Sequence, residues 1–271
     1  MDEALRFRLD AIAHRPRVPL PDIRVRVDDW PADALRAAQW VWARRVFNET
    51  GSVQLATRLR AAAAAAGLRE PAVTSALERL EEDEQAHAAL AHTVLGKLGG
   101  TPPVQPAAQE QPGEPAEVEL ARLVLVGLSV CETVSAARYA AVRTHTDLPV
   151  FRQCIELFLK DEVVHSRLGF LLLPLALDQL GRLSGPEAVA LFVSSELKGV
   201  FRELDRTVGL DAQRRGGLDP PRPQPTSNPG VVEPAIDARA FYNAVSATIV
   251  PGLEALGLAA RAAWSARWSQ E

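Results

Sequence analysis

Two short stretches carry the residue types that do chemistry: Asp83-Glu84-Gln85-Ala86-His87 and Asp161-Glu162-Val163-Val164-His165. Each reads Asp-Glu-x-x-His. On a helix, a glutamate and a histidine three positions apart project from one face and can share one ion. Carboxylate oxygens with a single imidazole per ion suit iron or manganese better than a cysteine-based zinc site would. The aspartate before each glutamate lies one turn ahead of the histidine. Asp83 is therefore expected to accept the free ring N–H of His87, and Asp161 that of His165, fixing the tautomers.

The helices that carry these motifs put them where leucines belong. Val73, Leu77, Leu80, Glu84, His87, Ala91, Val94 and Leu98 recur at spacings of three and four, as do Phe151, Ile155, Phe158, Glu162, His165, Gly169, Leu172 and Ala176. That spacing marks a buried stripe. Two more glutamates sit in such stripes, Glu49 among Trp42, Val46 and Val53, and Glu132 among Leu125, Leu128 and Tyr139. Burying one unpaired carboxylate costs several kcal/mol, so four that converge would exceed the ~5–15 kcal/mol net stability of a domain. Something cationic must lie among them. Two divalent metals meet that requirement, with Glu49, Glu84, His87, Glu132, Glu162 and His165 as ligands.

Alanine, leucine and arginine dominate the chain, and proline and glycine cluster between long periodic segments, which predicts an all-α fold. Six helices are expected. The first begins near Asp33, read as its cap, and stops at Gly67; the second follows Pro71 to Gly99. The third runs from about Ala116 to Arg143, the fourth from about Val150 to Leu180 and the fifth from Pro186 to Val208. A last helix after Pro234 is kinked or split at Pro251-Gly252. Residues 49 and 84 are equidistant from the first turn, and 132 and 162 from Asp147, so antiparallel hairpins bring each pair level. The expected organisation is an extended N-terminal arm (1–29), a four-helix bundle with a long crossover holding the metal site (30–182), and a C-terminal extension of two helices (183–271) around a proline-rich linker (210–235).

One glutamate from each of two helices, plus a Glu-x-x-His from each of the other two, resembles the ferritin-like di-iron carboxylate superfamily. The doubled Asp-Glu-x-x-His is most similar to its oxygen-activating branch. The resemblance covers roughly Asp33 to Leu180 and names the same six ligands, with Asp83 and Asp161 behind them. It implies two iron ions, or manganese in their place, O₂ or peroxide as co-substrate, a small or apolar organic substrate, and electrons from a separate reductase or from the substrate itself. The chain also departs from relatives in that superfamily. Ala86 and Val164 stand where monooxygenase hydroxylases carry an arginine before a motif histidine, and Ser135 stands where rubrerythrins carry a further glutamate.

Other residues have plainer readings. Glu196 lies in an apolar stripe and is a candidate ligand or pocket carboxylate, though a helix-edge salt bridge is favoured. Tyr139, on the stripe of Glu132, is a candidate for hydrogen bonding or radical chemistry against the alternative of a core tyrosine with a satisfied hydroxyl. Trp40 and Trp42 read as packing residues, and Gly51 as a tolerated glycine or the mark of a helical bulge. Cys131 and Cys154 stand too far apart along their hairpin for a disulfide.

A net charge of −4 gives no general attraction to nucleic acid or anionic lipid. The N-terminus lacks the apolar core of a secretory signal and no apolar run reaches a membrane span, so a cytoplasmic protein is expected, with a homodimer left open. The leading expectation is an O₂-activating di-iron oxidoreductase. The alternatives are iron or manganese handling or peroxide detoxification without an organic substrate, a metal-free or zinc-stabilised scaffold, and a tRNA-modifying hydroxylase.

Overall fold

The structure, a computed structural model, describes residues 1–28, 30–104, 113–215 and 228–269. All regular elements among them are helices. Helix α1 (Glu3–Ala13) is capped by Asp2, whose side chain accepts the Leu5 N–H at 2.7 Å. Leu9 is fully buried, and Leu5 and Ile12 pack on the same core. The first part of the expected extended arm is thus a docked helix. Its stripe of Leu5, Leu9 and Ile12 is short and crowded by charges, which hides the period.

Four long helices follow. Helix α2 (Ala32–Ala65) starts behind Pro31 without a side-chain cap; Asp33 lies within its first turn and bonds only the Ala34 N–H. Gly67, at φ +81°, turns the chain into α3 (Pro71–Lys97). After a crossover come α4 (Ala116–Thr144) and α5 (Pro149–Ser184). The segment 105–112 of that crossover lies outside the described residues. Helices α2 and α3 pack as an antiparallel hairpin, as do α4 and α5, with α2 against α4 and α3 against α5.

Helix α4 is not regular. Between Leu123 and Glu132 it widens to π-type turns, and the Ser129 hydroxyl bonds the carbonyl of Val124, five residues back, at 2.9 Å. Opposite this stretch α5 presents Gly169, where a Cβ would lie 2.7 Å from the Leu128 carbonyl carbon and the Ser129 nitrogen. Only glycine permits that approach. Helix α2 runs on unbroken through Gly51, so of the two readings of that residue the tolerated glycine holds, and the wide turns lie in α4.

Helix α6 (Pro186–Arg215) runs further than expected, into the stretch read as linker. Residues 216–227 of that stretch lie outside the described residues. Its far end is a buried strap: the Trp42 indole donates to the Pro229 carbonyl at 3.1 Å, Arg45 Nη2 to the Gly230 carbonyl at 2.9 Å, and the Asp147 N–H to the Asn228 carbonyl at 3.1 Å. Gly230 has φ +95°, and a Cβ there would meet Arg45 and Val142. Helix α7 is α-helical over Pro234–Ala244, π-type over Val245–Ile249 and α-helical again over Val250–Ala255. The wide turn absorbs Pro251, whose ring would otherwise crowd the preceding turn. The chain is not split at Pro251-Gly252 but runs on as helix to Ala255, turns at Gly257 and resumes as α8 (Ala260–Ser265). There Asp205 of α6 accepts from Tyr242, Arg267 and Trp268, clasping the C-terminal helices.

The apolar interior falls into two clusters. One contains Leu77, Leu80, Leu125, Leu128, Leu168 and Leu172, the other Trp42, Val46, Leu90, Val94, Phe151 and Phe158. The stripe positions between them along each helix are polar. Helices α4 and α5 are long and apolar enough to cross a membrane by length and composition, a test that a core helix also passes.

Candidate metal centre

The polar layer is built by four helices. Helix α2 contributes Glu49, α3 contributes Glu84 and His87, α4 Glu132 and α5 Glu162 and His165, each no more than 5% exposed. The side chains converge as two groups that share Glu162: Glu84, Glu132, Glu162 and His165 in one, and Glu49, His87 and Glu162 in the other, with ligand atoms within 4.8 Å of one another in each. All six expected ligands are thus brought together. Glu196 is not among them; it pairs with Arg122 at 3.1 Å.

Both imidazoles turn Nδ1 inward. His87 Nδ1 lies 3.5 Å from Glu49 Oε2 and 3.6 Å from Glu84 Oε2, and His165 Nδ1 lies 2.9 Å from Glu84 Oε1 and 3.7 Å from Glu162 Oε2. None of these contacts has hydrogen-bond geometry. Glu49 Oε2, both oxygens of Glu84, Glu162 Oε2 and both Nδ1 atoms are buried without a hydrogen-bond partner. Ligand atoms about 2.1 Å from one ion stand roughly 3 Å apart when adjacent and 4.2 Å when opposite. The spacings here match that pattern, and orphaned lone pairs aimed at a common point fit a divalent ion in each group.

The outer nitrogens are held by aspartates in the opposite sense to that expected. His87 Nε2 lies 3.1 Å from Asp161 Oδ2, and His165 Nε2 lies 3.5 Å from Asp83 Oδ2. Each motif's aspartate serves the other motif's histidine. Antiparallel packing of α3 on α5 sets Asp83 opposite His165 and His87 opposite Asp161, and that crossing displaces the contact within each helix. Two arginines complete the layer: Arg15, just beyond α1, lies against Asp83 and 3.0 Å from Asp161, and Arg79 Nε donates to Asp83 at 2.9 Å. Arg79 also donates to the Arg15 carbonyl at 3.1 Å. Arg79 stands four residues before Asp83, a spacing that could have revealed it; Arg15 lies in a non-periodic stretch with no such signal.

On the other side, the buried Tyr139 hydroxyl donates to Glu49 Oε1, and its ring stacks on Phe158 at 5.1 Å. Trp42 is fully buried, whereas Trp40 is 46% exposed. Cys131 and Cys154 are free thiols, and burial pushes each up to about 12.

Without metal, protons take over the charge balance. Burial disfavours charge on His165, but Glu84 and Asp83 outweigh it and raise the imidazole to about 10. Burial likewise opposes the charge of His87, and the Asp161, Glu49 and Glu84 carboxylates beside the ring raise it well above the ordinary range. Glu84 is taken down to about 2, the two imidazoliums outweighing its burial. Burial, with Glu84 nearby, lifts Glu132 to about 7; burial and Glu132 lift Glu162 well above the carboxylate range.

A cavity of about 290 Å³ reaches Glu49, Glu132, Glu162 and Tyr139 from between α2, α4 and the strap. Comparison with protein-family models, with curated proteins and with solved structures finds no match to this chain.

Proposed function

We propose that the chain is an O₂-activating di-metal oxidoreductase on a ferritin-like four-helix bundle, with two iron ions, or manganese in their place, held by Glu49, Glu84, His87, Glu132, Glu162 and His165. The observation that carries this reading is the set of inward atoms of Glu49, Glu84, Glu162 and both histidines, buried without hydrogen-bond partners at spacings suited to shared ions. Two such ions would supply reduction of O₂ coupled to oxidation of a bound substrate.

This chain's residues divide the remaining work. Glu162, common to both groups, would serve both ions, while Glu49 and His87 would hold one and Glu84, Glu132 and His165 the other. Asp161 and Asp83 hold the outer ring nitrogens and so orient Nδ1 inward. Tyr139 fixes one oxygen of Glu49 and leaves the other for the ion. The apolar clusters above and below close the layer on those two sides and leave the cavity as the approach to it. The adjoining cavity favours an organic substrate over storage or handling of the metal itself, since it opens on three of the ligands.

Metal analysis of the purified protein tests the proposal. Close to two iron or manganese ions per chain are expected, falling to one in His87→Ala and to none in Glu162→Ala. A protein that takes up neither ion, and whose stability is unmoved by Fe(II) or Mn(II) under anaerobic conditions, would sink it. A hollow multimer that retains many ions per chain would favour storage instead.

A further inference from the structure

The N-terminal helix reaches the metal layer through one side chain. Arg15 stands two residues past the end of α1, and its Nη2 lies against Asp83 and 3.0 Å from Asp161. Those two aspartates hold the outer nitrogens of His165 and His87. Nε and Nη1 of Arg15 are buried without a hydrogen-bond partner among the described residues, so the two carboxylates hold its guanidinium. Its carbonyl accepts from Arg79, which also donates to Asp83. The helix that delivers this arginine is lightly attached. Of its 11 residues Leu9 alone is buried; Leu5 and Ile12 are partly buried, and Phe7 is 74% exposed. Beyond it, Arg17 lies against Glu82 on the surface, a contact of small worth. An isolated helix of this length is marginal in water, so α1 unwinds when it leaves α3 and α5.

We infer that α1 is a latch coupled to the metals: it docks more tightly when both positions are filled, opens more readily when they are empty, and by docking tightens both. The coupling rests on the metal centre proposed above. Arg15 can span Asp83 and Asp161 only while α1 lies on α3 and α5. Docked, it fixes the two aspartates that aim both Nδ1 atoms inward. Undocked, it deprives Asp161 of its arginine, while Asp83 keeps Arg79. A fixed outer partner of a metal-binding histidine changes metal affinity by about 10–100-fold. Linkage is reciprocal, so filling the metal positions tightens the docking of α1 by the same factor. The two-state element is α1 itself, docked and helical or free and unwound.

The test is amide hydrogen exchange of the full chain, with saturating Mn(II) and with chelator. The amides of residues 7–13 are expected to exchange about 10–100-fold faster in chelator. Metal also slows exchange throughout by stabilising the whole fold, so the decisive comparison is Arg15→Ala. There the response of α1 should vanish while amides of α4 and α5 keep theirs. A response of α1 that survives in Arg15→Ala would overturn the inference. The reciprocal arm removes the buried anchor of α1. Leu9→Ala should weaken Mn(II) at both positions in chelator competition, and Leu9→Ala combined with Arg15→Ala should lose no more than Arg15→Ala alone, because the helix acts through the arginine. Additive losses would mark a general loosening of the core and refute the latch, as would unchanged affinity in Leu9→Ala. Metal uptake with a silent α1 sinks this inference and leaves the metal centre standing, whereas a chain that takes up no metal sinks both.

Discussion

Replacing Arg15 with alanine should weaken one metal position more than the other. Its guanidinium lies against Asp83 and 3.0 Å from Asp161, and these two aspartates hold the outer nitrogens of His165 and His87. Asp83 keeps a second cation, Arg79 at 2.9 Å, when Arg15 is removed. Asp161 loses the guanidinium that fixes it, and the His87 ring loses a firmly placed acceptor. Removing such an outer partner weakens metal binding by about 10–100-fold, or roughly 1.4–2.7 kcal/mol. The His87 position should show the upper part of that range and the His165 position the lower. The cost to folding should stay below the ~3–5 kcal/mol of breaking a fully buried pair, since the side chains of Arg15 and Asp161 are 12% and 13% exposed. Chelator-competition titrations with Mn(II) measure each position separately in His165→Ala and His87→Ala backgrounds. Equal loss at both positions, no loss, or a larger loss at the His165 position would refute the reasoning.

The metal-free protein should lose stability as pH rises. His87, His165, Glu132 and Glu162 all hold protons more tightly folded than their ordinary values near 6.5 and 4.3 allow, so the folded state binds more protons and alkali favours unfolding. The urea midpoint in chelator should therefore fall between pH 5.5 and 8.5, and metal should restore more at pH 8.5, where fewer protons compete; a midpoint that rises with pH would contradict this. Gly169→Ala should destabilise by about 1–3 kcal/mol, because the new Cβ meets backbone 2.7 Å away. Gly51→Ala, with nothing within 4 Å of the added carbon, should stabilise α2 by about 0.5–1 kcal/mol. Thermal denaturation of the pair checks both signs. Tyr139→Phe should leave the fold intact and weaken only the His87 position, by about 150-fold at most, since a hydrogen bond to a charged group contributes about 1.5–3 kcal/mol; unchanged titrations at both positions would show that Tyr139 does not position Glu49.

The candidate ligands were legible because burial phase is a property of a single helix. Glu84 and His87 stand where Leu77 and Leu80 predict further apolar residues, and the same holds for Glu49, Glu132, Glu162 and His165 on their stripes. The helix ends were legible where proline and glycine set them, as at Gly67 and Pro71. What two segments do to each other was harder to see. The π-type stretch of α4 answers to Gly169 on α5, and the strap at Asn228–Val231 is ordered by Trp42 and Arg45, nearly two hundred residues earlier. Arg15 follows a helix too short and too charged to show its period.

The crossed aspartates make the same point more sharply. Asp83 and Asp161 were expected to serve the histidines of their own motifs, because i and i+4 are neighbours on a helix. The antiparallel packing of α3 on α5 instead sets residue 83 beside 165 and 87 beside 161, a register offset by two from one that would put Glu84 level with Glu162. A contact between helices wins over one within a helix here because each imidazole must aim Nδ1 at the shared centre, which turns Nε2 away from its own helix and toward the next. The aspartates thus tie the two motifs together, each holding the other motif's histidine, with Arg15 across both.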